Sequence, residues 1–230
     1  MLRYARSSLD LPLALLSTLI LVVCSNWTAR LEATDCIGAK DAALTLIYLH
    51  GLETPGSQSE EEVSNRLVLQ QLAKELPLRV VLPASTLSCG AKLCWPGRDQ
   101  EEVKQTYQQL LKASETCGPL PSRFSLLGFS NGGYFAFKLF RWESDPRLDA
   151  IVASGSAGQW DPKTDKLPPS RSFHLILGER ELTLKAARGL AKNLRVSLPT
   201  FQLETFAGGH RLDHDTLLRL LTPLSKRTLR

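Results

Sequence analysis

Short, nearly unbroken apolar runs alternate along this chain with longer segments in which apolar residues recur every three or four positions. The first kind reads as strands buried on both faces, the second as amphipathic helices. Strand-like runs occupy residues 44–49, 78–82, 124–127, 150–153, 173–177 and 201–206, and helical spacing occupies 59–76, 99–114, 131–142, 183–194 and 213–221. The segment 59–76 opens on a capping box, Ser59 with Glu62, carries Val63, Leu67, Leu72 and Leu76 at helical spacing, and stops at Pro77. The next helix sets Val103, Tyr107, Leu110 and Leu111 on one face, with Gly118-Pro119 beyond its end. The aromatic-rich helix 131–142 is broken by Asp145-Pro146. In 183–194, Leu184, Ala187, Ala191 and Leu194 point inward, and Lys185, Arg188, Lys192 and Arg195 form a solvated face.

This β-α-β-α order implies an α/β fold: a single domain over residues 36–230, with a mostly parallel sheet and helices on both faces. Neither linker, repeat nor low-complexity tract divides it. In such a sheet the crossovers are right-handed, and the loops at the carboxyl ends of the strands form the site.

Residues 1–24 differ in kind. Arg3 and Arg6 precede an apolar run over 11–23 that only Pro12, Ser17 and Thr18 interrupt, the outline of a secretory signal peptide with cleavage near Cys24 or Ser25. The run is short beside the ~20 residues of a membrane span, and an uncleaved N-terminal anchor is the alternative. Lipidation at Cys24 is disfavoured by the bulky Val22 and Val23 before it. Export, periplasmic or secreted, is therefore the expectation, and membrane contact is expected only through the leader or a lipid-like substrate.

Beyond the leader remain Cys36, Cys89, Cys94 and Cys117, an even number that suits an oxidising compartment. Cys89 and Cys94 are close together in a glycine-containing loop and are paired with each other, and Cys36 with Cys117, out of three possible connectivities. No C-x-x-C pair supports a zinc site. Asn26-Trp27-Thr28 is formally a glycosylation triplet. The net charge of +5 is dispersed, without a basic run or interleaved aromatics, which argues against a nucleic-acid partner.

The chemistry centres on Gly128-Phe129-Ser130-Asn131-Gly132, a G-x-S-x-G motif set between a strand and a helix. A nucleophile on such a turn sits in a strained backbone conformation at the positive end of a helix, where a developing oxyanion is stabilised. A serine needs a base, and the base needs an acid. Of the four histidines, His174 lies mid-strand and reads as structural, and His50 comes too early for the order nucleophile, acid, histidine. His210 follows Gly208-Gly209 after the last strand and is the candidate base, with His214 in reserve. Glu181, in the turn Gly178-Glu179-Arg180-Glu181 after the strand 173–177, is the candidate acid, with Glu179 as the alternative. The oxyanion hole calls for the amides of Asn131 and of Leu52, the latter on the loop after His50-Gly51. His50 is expected to brace that loop by a hydrogen bond.

Together Leu49-His50-Gly51-Leu52, Gly128 to Gly133, Gly178-x-x-Glu181 and Gly208-Gly209-His210 resemble the α/β-hydrolase superfamily, in particular its small carboxylesterase, lysophospholipase and acyl-protein thioesterase branch. The resemblance spans residues 44–221 and implies a serine hydrolase that cleaves small-molecule carboxylic esters or thioesters through an acyl-enzyme intermediate, with no cofactor. Two features depart from that branch: Glu stands where Asp is usual, and the loop from Cys89 to Trp95 is not typical of it. The Cys94-Trp95 pair is similar instead to secreted depolymerases and feruloyl esterases of the superfamily. A serine peptidase on the same fold and a non-catalytic ligand- or partner-binding protein are the other readings. The segment 157–171, with Trp160 and Pro168-Pro169, is too short for a large lid domain, so an open site for small or medium acyl groups is expected.

Overall fold

The computed structural model describes residues 34–85, 87–160, 171–198 and 200–227. The expected leader, the Asn26 triplet and most of the segment 157–171 lie outside them.

In chain order the elements are β1 (Asp35–Ile37), β2 (Leu44–Leu49), α1 (Glu60–Glu75), β3 (Leu78–Leu82), β4 (Ser88–Cys89), β5 (Lys92–Leu93), α2 (Gln100–Ser114), a 3₁₀ turn (Glu115–Cys117), β6 (Phe124–Phe129), α3 (Asn131–Trp142), β7 (Leu148–Ser154), β8 (Ser172–Gly178), α4 (Leu184–Ser197), β9 (Phe201–Phe206) and α5 (His214–Arg227). Seven strands form one sheet in the order β1-β3-β2-β6-β7-β8-β9, and β4 and β5 make a separate hairpin. Every pairing in the large sheet is parallel except that of β1 with β3.

The central strands bury both faces, which is why their sequences read as nearly unbroken apolar runs. On one face Ile47, Leu126, Ile151 and Leu175 meet α2, α3 and α4 through Tyr107, Phe135, Phe140 and Leu194. On the other, Leu46, Tyr48, Leu127 and Val152 meet α1 and α5 through Leu69, Leu72, Leu217 and Leu221. Phe140 stacks on Phe173 with ring centroids 4.6 Å apart, in the thick of the first core. Both disulfides pair as expected, Cys36 with Cys117 and Cys89 with Cys94. The first ties the edge strand β1 to the turn after α2.

The structure departs from the sequence reading in α1. Of the four residues at helical spacing only Leu72 is fully buried, while Val63 and Leu67 are exposed at 46% and 60%. The buried stripe runs instead through Glu62, Asn65, Leu69 and Leu72. Two polar side chains face inward because partners wait for them: Tyr48 Oη donates to Glu62 Oε2 (2.7 Å), and the Leu212 amide donates to Asn65 Oδ1 (2.8 Å). The capping box is altered for the same reason. Ser59 Oγ accepts from the Glu62 amide (3.1 Å), but the carboxylate that takes the Ser59 amide is that of Glu53 (3.0 Å), which frees Glu62 for the interior.

Candidate active site

Ser130 stands where β6 passes into α3. Its φ of 51° makes it the one non-glycine residue with positive φ among those described, a conformation that costs about 1–3 kcal/mol and persists only where the surroundings enforce it. The chain closes so tightly that a Cβ on Gly128 would lie 2.1 Å from the Gly132 carbonyl oxygen, and one on Gly132 2.3 Å from that of Leu49. Only glycine fits either place. The Ser130 amide donates to the Ser154 carbonyl (2.8 Å), which ties the elbow to the end of β7.

His210 and Glu181 arrive from the ends of β9 and β8. The Arg180 amide donates to the Gly208 carbonyl (2.9 Å), and that of Glu179 to Phe206 (2.9 Å), so the two loops are stitched together. Glu181 Oε2 then lies 3.0 Å from His210 Nδ1, with the Glu181 side chain 2% and that of His210 44% exposed. The Gly178 amide and Thr183 Oγ1 approach the same carboxylate at 3.4 Å each. The imidazole packs on the Phe129 ring, centroids 4.7 Å apart, next to Ser130 in the chain. Its hydrogen bond to Glu181 raises the His210 pKa above the ordinary histidine value, with partial burial opposing. Glu179, the alternative acid, is exposed. His214 opens α5 with its imidazole against Asp215 (2.9 Å) and Glu75 (3.2 Å), neither of them near the Glu181 turn in sequence.

The two expected oxyanion donors sit on loops that touch. The Gly132 amide donates to the His50 carbonyl (3.2 Å), which joins the loop after β2 to the first turn of α3. The amides of Leu52 and Asn131 make no hydrogen bond among the described residues. Asn131 is the first residue of α3, where an amide has no preceding turn to bond to. His50 braces the loop: Nδ1–H donates to the Gly51 carbonyl (2.6 Å), and Nε2 accepts from the Ser85 amide (3.2 Å). Those two bonds require the neutral ring, and burial lowers its pKa in the same sense.

Several neighbours escaped the sequence reading. Trp95 is buried, donating from its amide to Asn131 Oδ1 (2.7 Å) and from Nε1 to the His50 carbonyl (3.0 Å). A cavity of about 280 Å³ lies beside the loop after β2, lined by His50, Glu53, Thr54, Glu62 and Arg66 among others. Burial pushes the Glu62 pKa up to about 7. Tyr48, in the mostly apolar strand β2, was the one hint of that polar cluster, because a buried phenol wants a partner. No metal-competent cluster of His, Cys, Asp or Glu occurs among the described residues.

No family model matches the chain, and no curated protein matches its sequence. Solved structures do. A Bacillus cereus carboxylesterase superposes with a TM-score of 0.60 at 15% identity, covering 90% of this chain and 98% of its own. Zea mays acyl-protein thioesterase 2 gives 0.59 at 14% identity, over 84% of this chain and 99% of its own. An Agrobacterium tumefaciens protein of unknown function gives 0.56 at 20% identity, over 85% and 97%. Likeness at these identities establishes the architecture and leaves the chemistry to the residues.

Proposed function

We propose that this chain, which has the α/β-hydrolase fold, is an exported serine hydrolase that cleaves carboxylic esters or thioesters of small molecules. The observation that carries the reading is the 3.0 Å contact of Glu181 Oε2 with His210 Nδ1, the imidazole packed on Phe129, whose neighbour in the chain, Ser130, is held at positive φ between a strand and a helix.

In the proposed mechanism the Glu181 carboxylate accepts a hydrogen bond from His210 Nδ1–H, which leaves Nε2 free to accept. His210 Nε2 removes the Ser130 proton as Oγ attacks the ester carbonyl. The Leu52 and Asn131 amides hold the oxyanion, and Glu181 stabilises the imidazolium. His210 returns its proton to the departing alcohol or thiol, then activates the water that releases the acid from Ser130. Nothing in this sequence calls for a cofactor.

Export is supported by the leader-like residues 1–24 and by two disulfides, which persist in oxidising compartments. Among the described residues no helix is long and apolar enough to cross a membrane.

The test is hydrolysis of p-nitrophenyl esters of increasing acyl length by the wild-type protein and by Ser130→Ala. The proposal expects turnover on short and medium acyl groups that falls by several orders of magnitude in the variant. Wild-type turnover by the variant would refute it.

A further inference from the structure

The hairpin of β4 and β5 takes no part in the steps above, yet its bonds end on both oxyanion loops. Glu53, the neighbour of Leu52, exchanges two backbone hydrogen bonds with Leu93, at 3.2 and 2.7 Å. Beyond the hairpin, Cys94 accepts at its carbonyl from Ser85 Oγ (2.5 Å), and the Ser85 amide is the group that holds His50 Nε2 (3.2 Å). Trp95 closes the circuit. Its amide holds the Asn131 side chain, and its indole N–H shares the His50 carbonyl with the Gly132 amide. Trp95 is 2% exposed, its indole wedged between the His50 and Phe135 rings, with centroids 5.1 and 6.2 Å away.

Strands of two residues each, outside any larger sheet, do not hold their shape alone. What closes this hairpin is the Cys89–Cys94 bond, only five residues apart in sequence. Oxyanion donors act only when fixed in advance, since an amide that must reorient during the reaction loses most of its advantage.

Resting on the serine-hydrolase reading, we infer that the Cys89–Cys94 hairpin is a positioning element: it sets the Leu52 amide through Glu53 and the Asn131 amide through Trp95. Glu53, Trp95 and Ser85 are its contact points with the loops after β2 and β6. Because the oxyanion exists only in the transition state, loosening the hairpin lowers kcat and leaves KM nearly unchanged. The other disulfide, Cys36–Cys117, lies at β1 on the sheet's edge and supplies an internal control.

The experiment compares the wild-type chain with Cys89→Ala/Cys94→Ala, Trp95→Phe and Cys36→Ala/Cys117→Ala. It measures kcat, KM, Tm and inhibition by an alkylboronic acid, which becomes tetrahedral on the serine. Removing one oxyanion donor outright slows turnover by about 10²–10³, so a misplaced pair in the first variant is expected to lower kcat by about 10- to 100-fold with KM within about threefold. Boronate affinity falls in step. Trp95→Phe keeps an aromatic ring and the main-chain bond to Asn131 but deletes the Nε1 donor, and is expected to show the same split more weakly, by about five- to tenfold. Cys36→Ala/Cys117→Ala lowers Tm and keeps kcat at temperatures below its melting. If the hairpin variants lose only Tm, or raise only KM, the hairpin is structural and the inference is overturned while the hydrolase reading stands. A wild-type protein that neither hydrolyses esters nor binds the boronate overturns the hydrolase reading and the inference together.

Discussion

Replacing Glu181 by glutamine should harm turnover more than replacing it by alanine, although glutamine is the closer mimic. The reason lies in which way an amide would face. Oε1 of Glu181 is approached by the Gly178 amide and Oε2 by His210 Nδ1, both in the present arrangement. The Gly178 amide can only donate, so a glutamine there would present its oxygen to Gly178 and its NH2 group to His210. His210 Nδ1 must then accept, its proton moves to Nε2, and the nitrogen meant for Ser130 is already occupied. A tautomer error of this kind costs about 10⁴ in kcat in a serine triad. Alanine imposes no tautomer. It removes a hydrogen bond to a charged imidazolium, worth about 1.5–3 kcal/mol, or about a 10- to 150-fold fall in kcat at about 1.4 kcal/mol per tenfold. Steady-state hydrolysis of a p-nitrophenyl ester by Glu181→Gln and Glu181→Ala, with melting curves to confirm folding, measures both. Glutamine equal to or better than alanine, or either variant near wild type, would refute the reasoning.

The remaining predictions concern pH and stability. His210 must be neutral to accept a proton and its pKa is raised by Glu181, so the acid limb of the kcat/KM profile should inflect above the ordinary value of about 6.5 and move down towards it in Glu181→Ala. By the same sign, the pair's contribution to stability should be complete below that ordinary value and fade as pH rises through the raised one. Gly132→Ala would drive a Cβ to 2.3 Å from the Leu49 oxygen and 2.7 Å from that of His50; neither backbone can yield cheaply, so a loss of at least about 3 kcal/mol is expected, seen as a Tm lower by roughly 6–12 °C. Cys36→Ala/Cys117→Ala opens a loop of 81 residues and should destabilise by about 4–5 kcal/mol in denaturant unfolding.

How far the sequence disclosed this molecule depended on whether a signal was local. The parallel strands were legible because burial on both faces leaves runs such as Leu44 to Leu49 mostly apolar. The helix face of α4 was legible too, since Leu184, Ala187, Ala191 and Leu194 do pack inward. The face of α1 was not. Val63 and Leu67 have the right spacing, but Glu62 and Asn65 take the interior because Tyr48 and the Leu212 amide, distant in sequence, satisfy them. Strand β1 and the hairpin are two or three residues each, too short for any period to show, and they exist through pairing and disulfides. β6 outran its apolar run by two residues, because the ladder to β7 continues through Gly128 and Phe129 whatever their side chains.

At the site, motif and chain order placed Ser130, Glu181 and His210 in view, each at the end of its own strand. Of the two carboxylates that the turn's composition left open, that of Glu181 is buried against the imidazole and that of Glu179 faces solvent. Trp95 was invisible as a neighbour of Asn131, since a contact across 36 residues has no local signature.

The central claim is that Ser130 is an activated nucleophile, and covalent labelling tests it most directly. Wild-type protein treated with a fluorophosphonate, digested and mapped by mass spectrometry should carry one adduct, on the peptide containing Ser130, at a rate that collapses in His210→Ala and with no adduct in Ser130→Ala. An unlabelled wild-type protein, or an adduct on another residue that survives in Ser130→Ala, would contradict the account.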